Sequence, residues 1–507
     1  METYFGFYNI DCKSVECKVM SYTSYSFALF VILTVCIYYI VSKKWQWVVL
    51  LVASMFFYLC AGPALSIYLL LFSVATWYGA KRIEKRRSGK RVSEKMLGLV
   101  AVLLIFINIG VLFILKWSGM ELALINRVFG TSLAWRFVMP LGMSFFTFQN
   151  TSYVIDVYKG KIQAEHNFFH YLLYASYFPY IVSGPINRYG KMERQFFAGH
   201  AFDKERFYQG LLRILWGYLK EMVIADRAAI YVEEVFDHYY MYRGLFILIA
   251  VLLFSLQLYM DFSGCMDIVM GISMLFGIEM TENFHAPYAA TTTAEFWRRW
   301  HISLTSWLRD YIYIPLGGNR KGKAHKYLNV MVVFLFCGMW HGAGVTYLIW
   351  GGLNGLYQII GDMTVTVRRK VCELAGLNEN SHGAKVRKKL TTAVLIEFGW
   401  LFFRAEGLQE AFVMLRRMFT GWNPWILADG TLYQVGLDVW DFLILIMGTV
   451  CVGWVSHMSS RLDLHRLFVS QSWLYQTVVI LGAAVIWYLF GIYGPGFDPV
   501  DFIYFEF

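Results

Sequence analysis

Two histidines, His341 and His301, are the residues of this sequence whose type and surroundings could do chemistry. His341 lies in the apolar run FLFCGMWHGAGVTYLIWGG, where the nearby glycines leave room beside its imidazole ring. Imidazole exchanges protons readily near neutral pH, which suits a general base that activates a hydroxyl group. An ionisable side chain in an apolar segment is costly, so it needs a functional or a packing explanation. The packing explanation for His341 is a hydrogen bond to a neighbouring helix.

His301 precedes His341 by 40 residues, a spacing that fits two adjacent elements joined by a basic loop. Its local sequence favours a histidine that anchors a helix at the membrane interface over a catalytic one. The two histidines could also hold a metal ion. Their spacing matches none of the common zinc motifs, so we expect no metal.

The segment that carries His301, residues 291–326, reads TTTAEFWRRWHISLTSWLRDYIYIPLGGNRKGKAHK. Its apolar residues recur at helical spacing, and the sequence predicts one helix that begins at Thr293 and ends by Pro315. Several charged residues argue against a complete membrane span: Arg298, Arg299, Arg309 and Asp310. We therefore predict an interfacial or re-entrant helix whose arginines anchor it among the lipid headgroups, or else bind lipid phosphates or an acidic partner.

Two acidic residues, Asp261 and Asp267, lie in the stretch LYMDFSGCMDIVMG. The sequence predicts that one apolar segment, Gly244–Phe262, ends there and that another, Cys265–Ile278, begins. Carboxylates in such places usually pair with a basic residue or cap a helix. We expect a structural role for both.

The elements that must position these residues are membrane helices. Hydrophobic residues make up 58% of the 507 residues and charged residues 16%, whereas a soluble domain has roughly 45–50% and about 25%. The net charge of +10 comes from basic residues in short loops between apolar runs, where they set membrane orientation. We therefore expect no nucleic-acid partner and one integral membrane domain over residues 1–507.

The apolar segments predict about 11–13 membrane-spanning helices. The loop Lys81–Lys95 carries eight basic residues against two acidic ones, so we expect it in the cytoplasm. Three apolar segments precede this loop, which places the N-terminus outside. A second basic loop, Arg368–Lys389, is also predicted to be cytoplasmic.

Longer motifs run through most of the chain. They are EFWRRWHISLTSWLRDYIYIPLGG at Glu295–Gly318, CGMWHGAG at Cys337–Gly344, PLGMSFFTFQNTSYVIDVYKG at Pro140–Gly160, YFPYIVSGPINRY at Tyr177–Tyr189, LYMDFSGCMDIVMGIS at Leu258–Ser273, ENFHAPY at Glu282–Tyr288, and the terminal FDPVDFIYFEF. Together they resemble the membrane-bound O-acyltransferase (MBOAT) family. The bacterial branch that acetylates alginate or D-alanylates teichoic acid is the most similar, and the chain length favours the alginate side.

This resemblance implies an all-α polytopic membrane protein, with a ring of about 11–13 transmembrane helices around a central funnel and short re-entrant or interfacial helices inside. It maps the family's catalytic histidine onto His341 and a second active-site histidine onto His301. The catalytic motif region is residues 291–344. We expect four further residues to bind substrate: Arg298, Arg309, Asp310 and Trp340.

The implied reaction moves an acyl group, acetyl or D-alanyl, from a thioester donor to a hydroxyl group. His341 would act as the base, and His301 would orient the acceptor or polarise the carbonyl. The donor is a cytoplasmic co-substrate, acetyl-CoA or the phosphopantetheine of an acyl-carrier protein, and no tightly bound cofactor is expected. The acceptor outside the membrane is an envelope polysaccharide, a teichoic acid, or a partner acyltransferase that passes the group on. Membrane lipid surrounds the protein in the cell membrane.

Two functions of other classes remain open. A transporter or flippase for a lipid-linked sugar would show inverted repeats, and the sequence has no evident repeat. A non-catalytic scaffold for envelope assembly would not require both histidines.

The predicted orientation can be tested by cysteine labelling in a variant whose Cys12 and Cys17 are replaced by serine. In intact cells, an impermeant thiol reagent should label a cysteine introduced at Thr3 and should not label one at Ser88. The reagent should label the Ser88 position once the membrane is permeabilised. The reverse pattern in intact cells would overturn the orientation.

Overall fold

The computed structural model describes residues 20–88, 94–131, 139–376, 378–379, 381–459 and 461–493. The regular structure of these residues is helical, without a β-strand. The terminal motif at 497–507, residues 89–93 of the first basic loop and Thr3 lie outside them.

The α-helices of the described residues are α1 Tyr25–Ile40, α2 Gln46–Ala61, α3 Pro63–Ser88, α4 Glu94–Phe129, α5 Met143–Tyr158, α6 Phe168–Ser176, α7 Tyr189–Phe196, α8 Lys204–Tyr218, α9 Asp226–Asp237, α10 Leu245–Leu275, α11 Thr293–Arg299, α12 Ile302–Leu308, α13 Lys323–His341, α14 Val345–Met363, α15 Val365–Leu374, α16 His382–Arg404, α17 Leu408–Phe419, α18 Val439–Ser459, α19 Leu464–Val469 and α20 Trp473–Phe490. Two π-helical turns, Leu219–Ala225 and Arg309–Tyr313, extend α8 and α12.

Five helical stretches of the described residues are long and apolar enough to cross a membrane: Lys43–Ala61, Lys95–Gly119, Leu245–Leu275, Val439–Ser459 and Trp473–Phe490. The last two expose most of their apolar side chains, since 11% and 6% of the residues in their most apolar 18-residue stretches are buried. Lipid tails can cover such surfaces, which would be unstable in water. The all-α multi-pass membrane fold is thus confirmed, and the total number of spans stays a prediction.

Helix α10 corrects the prediction of two separate apolar segments around Asp261 and Asp267. The helix runs unbroken for 31 residues, because two basic side chains from the α8 region pair with the Asp267 carboxylate. Asp267 Oδ1 accepts a hydrogen bond from Arg213 Nε at 2.9 Å, and its Oδ2 accepts one from Lys220. A carboxylate paired in this way can remain inside a membrane helix.

Glycines allow α8 and α10 to come close enough for those ion pairs. A Cβ atom added at Gly217 would lie 2.6 Å from the carbonyl oxygen of Gly264, and one at Gly271 would lie 2.7 Å from that of Gly210. The two backbones therefore touch at two levels. Small residues at the interfaces between membrane helices generally allow the helix backbones to approach closely.

Helices α13 and α14 form a second close pair, and this pair carries His341. A Cβ atom at Gly338 would lie 2.3 Å from the carbonyl oxygen of Tyr347, and one at Gly351 would lie 2.4 Å from that of Phe334. At the far end of the pair, Lys326 and Asp362 form an ion pair at 2.8 Å. The hairpin therefore holds His341 at a fixed place beside the first turns of α14.

Candidate active site

The segment around His301 contains a sharp backbone break. Its helix begins at Thr293 as predicted, and the Thr292 hydroxyl caps it by accepting from the Glu295 backbone N–H at 3.1 Å. The prediction of one helix up to Pro315 is wrong, because α11 ends at Arg299 and α12 begins at Ile302. His301 lies between them with φ of +46°, a left-handed conformation that is uncommon for residues other than glycine.

Asn283 holds this break in place. Its backbone carbonyl accepts from the Ile302 N–H at 2.9 Å, and its side-chain oxygen accepts from the Ser303 N–H at 3.0 Å. The same oxygen lies 3.2 Å from Nδ1 of His301, whose side chain is 1% exposed. These contacts fix both the left-handed backbone and the direction of the imidazole ring.

His341 lies in an aromatic enclosure at the end of α13. Its ring meets those of Trp340, Trp350 and Phe403 edge-on, with centroid separations of 4.8, 5.2 and 5.1 Å. Gly342 follows, and a Cβ atom there would lie 2.2 Å from the Tyr347 ring. His341 is 3% exposed, so its surroundings exclude most water and strengthen local electrostatic interactions.

Trp340 connects the two histidines. Its ring lies 6.2 Å from that of His301 and 4.8 Å from that of His341, between ring centroids. Phe148 of α5 stacks on Trp340 at 5.4 Å and on Trp307 of α12 at 4.0 Å. The aromatic stack thus joins α5, α12 and α13 and brings together two histidines that lie 40 residues apart in the sequence.

The other predicted substrate residues lie apart from this stack. Arg298 is exposed, and the Arg309 side chain is 64% exposed and bonds to the neighbouring Asp310 at 2.9 Å. Asp310 also lies 3.9 Å from Arg188. Among the predicted substrate-binding residues, the described contacts thus place Trp340 beside the histidines and the other three nearer the surface.

Two residues that the sequence did not single out contact the site. Asn283 is the first. Lys116 is the second, because its Nζ donates a hydrogen bond to the backbone oxygen of Trp340, next to His341. The sequence alone could have identified Lys116, because it interrupts the apolar run of α4. An ionisable residue in such a run is a candidate functional residue.

A large cavity adjoins the site. It measures about 1110 Å³ and lies between α10, α16, α18 and the segment 282–289, which includes Asn283. The side-chain nitrogen of Asn283 has no hydrogen-bond partner among the described residues. Small-molecule sites usually measure about 300–1,000 Å³, so this cavity is large enough for an extended organic substrate.

The described residues contain no cluster of three or more His, Cys, Asp or Glu side chains that could hold a metal ion. The chemistry that these residues themselves support is proton transfer by imidazole in an enclosed aromatic environment.

Comparison with known proteins relates this geometry to a family. Residues 162–375 match the model of MBOAT, the membrane-bound O-acyltransferase family. The chain is 34% identical to the probable alginate O-acetylase AlgI of Pseudomonas aeruginosa, over 81% of this chain and 77% of that protein. It is 32% identical to the peptidoglycan O-acetyltransferase of Helicobacter pylori, over 73% of each chain.

A shorter match reaches the teichoic acid D-alanyltransferase of Bacillus subtilis, with 28% identity over 42% of this chain and 56% of that protein. The matched family region includes both the break at His301 and His341 itself. This multi-pass membrane protein is therefore an acyltransferase that belongs to the membrane-bound O-acyltransferase family.

Proposed function

We propose that the protein transfers an acetyl group from a cytoplasmic thioester to a hydroxyl group of an envelope polysaccharide, or to a partner that passes it on. The observation that carries the proposal is the pair of buried histidines joined through Trp340. Acetyl is favoured over D-alanyl because the relatives that match most of the chain are named O-acetylases or O-acetyltransferases.

His341 acts as the general base in this proposal. It takes the proton of the acceptor hydroxyl while the hydroxyl oxygen attacks the thioester carbonyl carbon and forms the new C–O bond. The tetrahedral intermediate then expels the thiolate as the C–S bond breaks, and the protonated imidazole returns the proton to sulfur. The products are an ester and a thiol, and the histidine ends neutral. Base catalysis of this kind contributes about 10²–10⁴-fold.

The aromatic enclosure serves this reaction in two ways. It excludes water, which would otherwise compete with the acceptor hydroxyl and hydrolyse the thioester. It also holds the His341 ring against three other rings, so that the imidazole is oriented before substrate arrives.

The two substrates reach the site from opposite sides of the membrane in this proposal. Helix α13 begins near Lys323, at a basic loop that we place in the cytoplasm by the same charge rule, and carries His341 at its other end. At 1.5 Å per residue the helix is about 28 Å long, so His341 lies well away from that loop. The donor must therefore extend a long, thin arm inward, which the phosphopantetheine of coenzyme A or of an acyl-carrier protein provides.

We predict that His341→Ala abolishes polymer acetylation, with a loss of at least about 10²-fold, because the variant lacks the proposed general base. The measurement is acetyl incorporation by knockout cells complemented with each variant. His382→Ala removes an exposed histidine at the start of α16 and serves as the matched control, with wild-type activity expected. Near wild-type acetylation by His341→Ala at equal membrane abundance would refute the assignment of the base.

The basic loop before α13 supplies a docking surface for the acidic donor in this proposal. Arg320, Lys321 and Lys323 are exposed there. Attraction by such charges speeds association and weakens with salt, because the Debye length is only about 8 Å at physiological ionic strength. The alternative role of these charges is to set membrane orientation alone.

We predict that the double variant Arg320→Glu with Lys321→Glu raises KM for the donor, leaves kcat unchanged and flattens the salt dependence of kcat/KM. Steady-state kinetics in proteoliposomes at low and high salt provide the measurement. The variant Arg127→Glu with Arg416→Glu makes the same charge change at exposed positions, each of which follows a predicted cytoplasmic loop by one apolar helix, and should behave as wild type. Equal donor kinetics for both double variants would assign the loop charges to orientation alone.

A further inference from the structure

We propose that Asn283 is a positioning residue that fixes His301 in the tautomer with hydrogen on Nδ1, so that Nε2 can only accept a hydrogen bond. In the reaction, Nε2 of His301 then accepts a hydrogen bond from a hydroxyl group of the acceptor substrate and does not polarise the thioester carbonyl. This second statement rests on the proposed function, whereas the tautomer follows from the contacts of Asn283 alone.

The contact with Ser303 fixes the orientation of the Asn283 side-chain amide. The Ser303 backbone N–H can only donate, and it lies 3.0 Å from the position of the amide oxygen. An amide NH₂ group in that position would place donor against donor in a buried site. The oxygen of Asn283 must therefore face the start of α12.

The Asn283 oxygen in turn determines which ring nitrogen of neutral His301 carries the hydrogen. Its Nδ1 lies 3.2 Å from the same amide oxygen, which has two lone pairs and can accept from both groups. A neutral imidazole bonds to that oxygen through Nδ1 only if Nδ1 carries the hydrogen. Asn283 and His301 are each 1% exposed, so water has little access to replace this contact. Nε2 of the neutral ring then carries a lone pair.

The backbone makes this arrangement rigid. The carbonyl of Asn283 accepts from the Ile302 N–H at 2.9 Å, and the carbonyl of Arg299 accepts from the His285 N–H at 2.9 Å. The segment 283–285 is thus bonded on both sides of the left-handed residue His301. Rotation of the Asn283 side chain would break two hydrogen bonds at once, so the tautomer is selected by the fold.

The consequence is a division of roles between the histidines. Stabilising the carbonyl oxygen requires a hydrogen-bond donor, which Nε2 of neutral His301 cannot be. Accepting from a hydroxyl requires a lone pair, which Nε2 has. An acceptor with a second hydroxyl beside the reacting one, as on a sugar ring, could donate one hydroxyl to His341 and the other to His301.

Nitrogen NMR tests the tautomer without substrate. The full chain, labelled with ¹⁵N-histidine and reconstituted in nanodiscs, gives the His301 signals by difference from a His301→Gln sample. We expect a protonated Nδ1 and an unprotonated Nε2 for the neutral ring. A protonated Nε2 with an unprotonated Nδ1 would overturn the proposal, and neither result depends on whether His341→Ala loses activity.

Variants of Asn283 test the consequence for catalysis. Asn283→Asp keeps an acceptor for both donors, whereas Asn283→Leu removes it. We expect Asn283→Leu to lower kcat about 10–100-fold, by analogy with the loss of a partner that orients a metal-binding histidine. We expect Asn283→Asp to retain activity and to move the acidic limb of the pH–rate profile to higher pH, because a carboxylate stabilises a protonated imidazole.

Asn329→Asp is the matched control, because Asn329 is also buried but donates through its side-chain nitrogen to Gly318 at 2.9 Å. It should leave the pH–rate profile in place, whatever its effect on stability. If Asn283→Asp folds but is as inactive as Asn283→Leu, the proposed role of the amide oxygen is wrong. If Asn283→Leu does not fold, the Asn283→Asp profile and the NMR measurement decide.

Discussion

The candidate active site depends on the hydrogen bonds that Asn283 makes across the break between α11 and α12. Without them, the segment 291–315 has the apolar spacing of a single helix, and His301 would be one more residue on its surface. With them, His301 takes a left-handed conformation and turns into the protein interior. A strained backbone residue of this kind persists only where its surroundings determine it, which is characteristic of functional sites.

Close helix packing provides the second half of the site. The α13–α14 pair brings His341 to the start of α14, and Gly338 and Gly351 allow the two backbones to touch. The aromatic stack through Trp340 then relates this hairpin to α5 and α12. The site thus lies where the α11–α12 segment meets the α13–α14 pair. The first contributes His301 and the second contributes His341.

The sequence predicted the class of fold, because apolar composition is a local signal, and the catalytic roles of the two histidines stay predictions. It also predicted the helix start at Thr293, where a threonine precedes an acidic residue. The break at His301 could not be predicted, since its cause is Asn283, a polar residue 18 positions earlier. The continuity of α10 was missed for the same reason, because the groups that compensate Asp267 lie on another segment.

The central claim is that His301 and His341 act as one catalytic unit, and a double-variant cycle tests it most directly. Single-turnover acetyl transfer from a thioester would be measured for purified, reconstituted wild type, His301→Gln, His341→Gln and the double variant. Residues that act as a unit give grossly non-additive losses, so the double variant should lose about as much activity as the more impaired single variant. Losses that multiply would show that the two histidines act independently and would contradict the account.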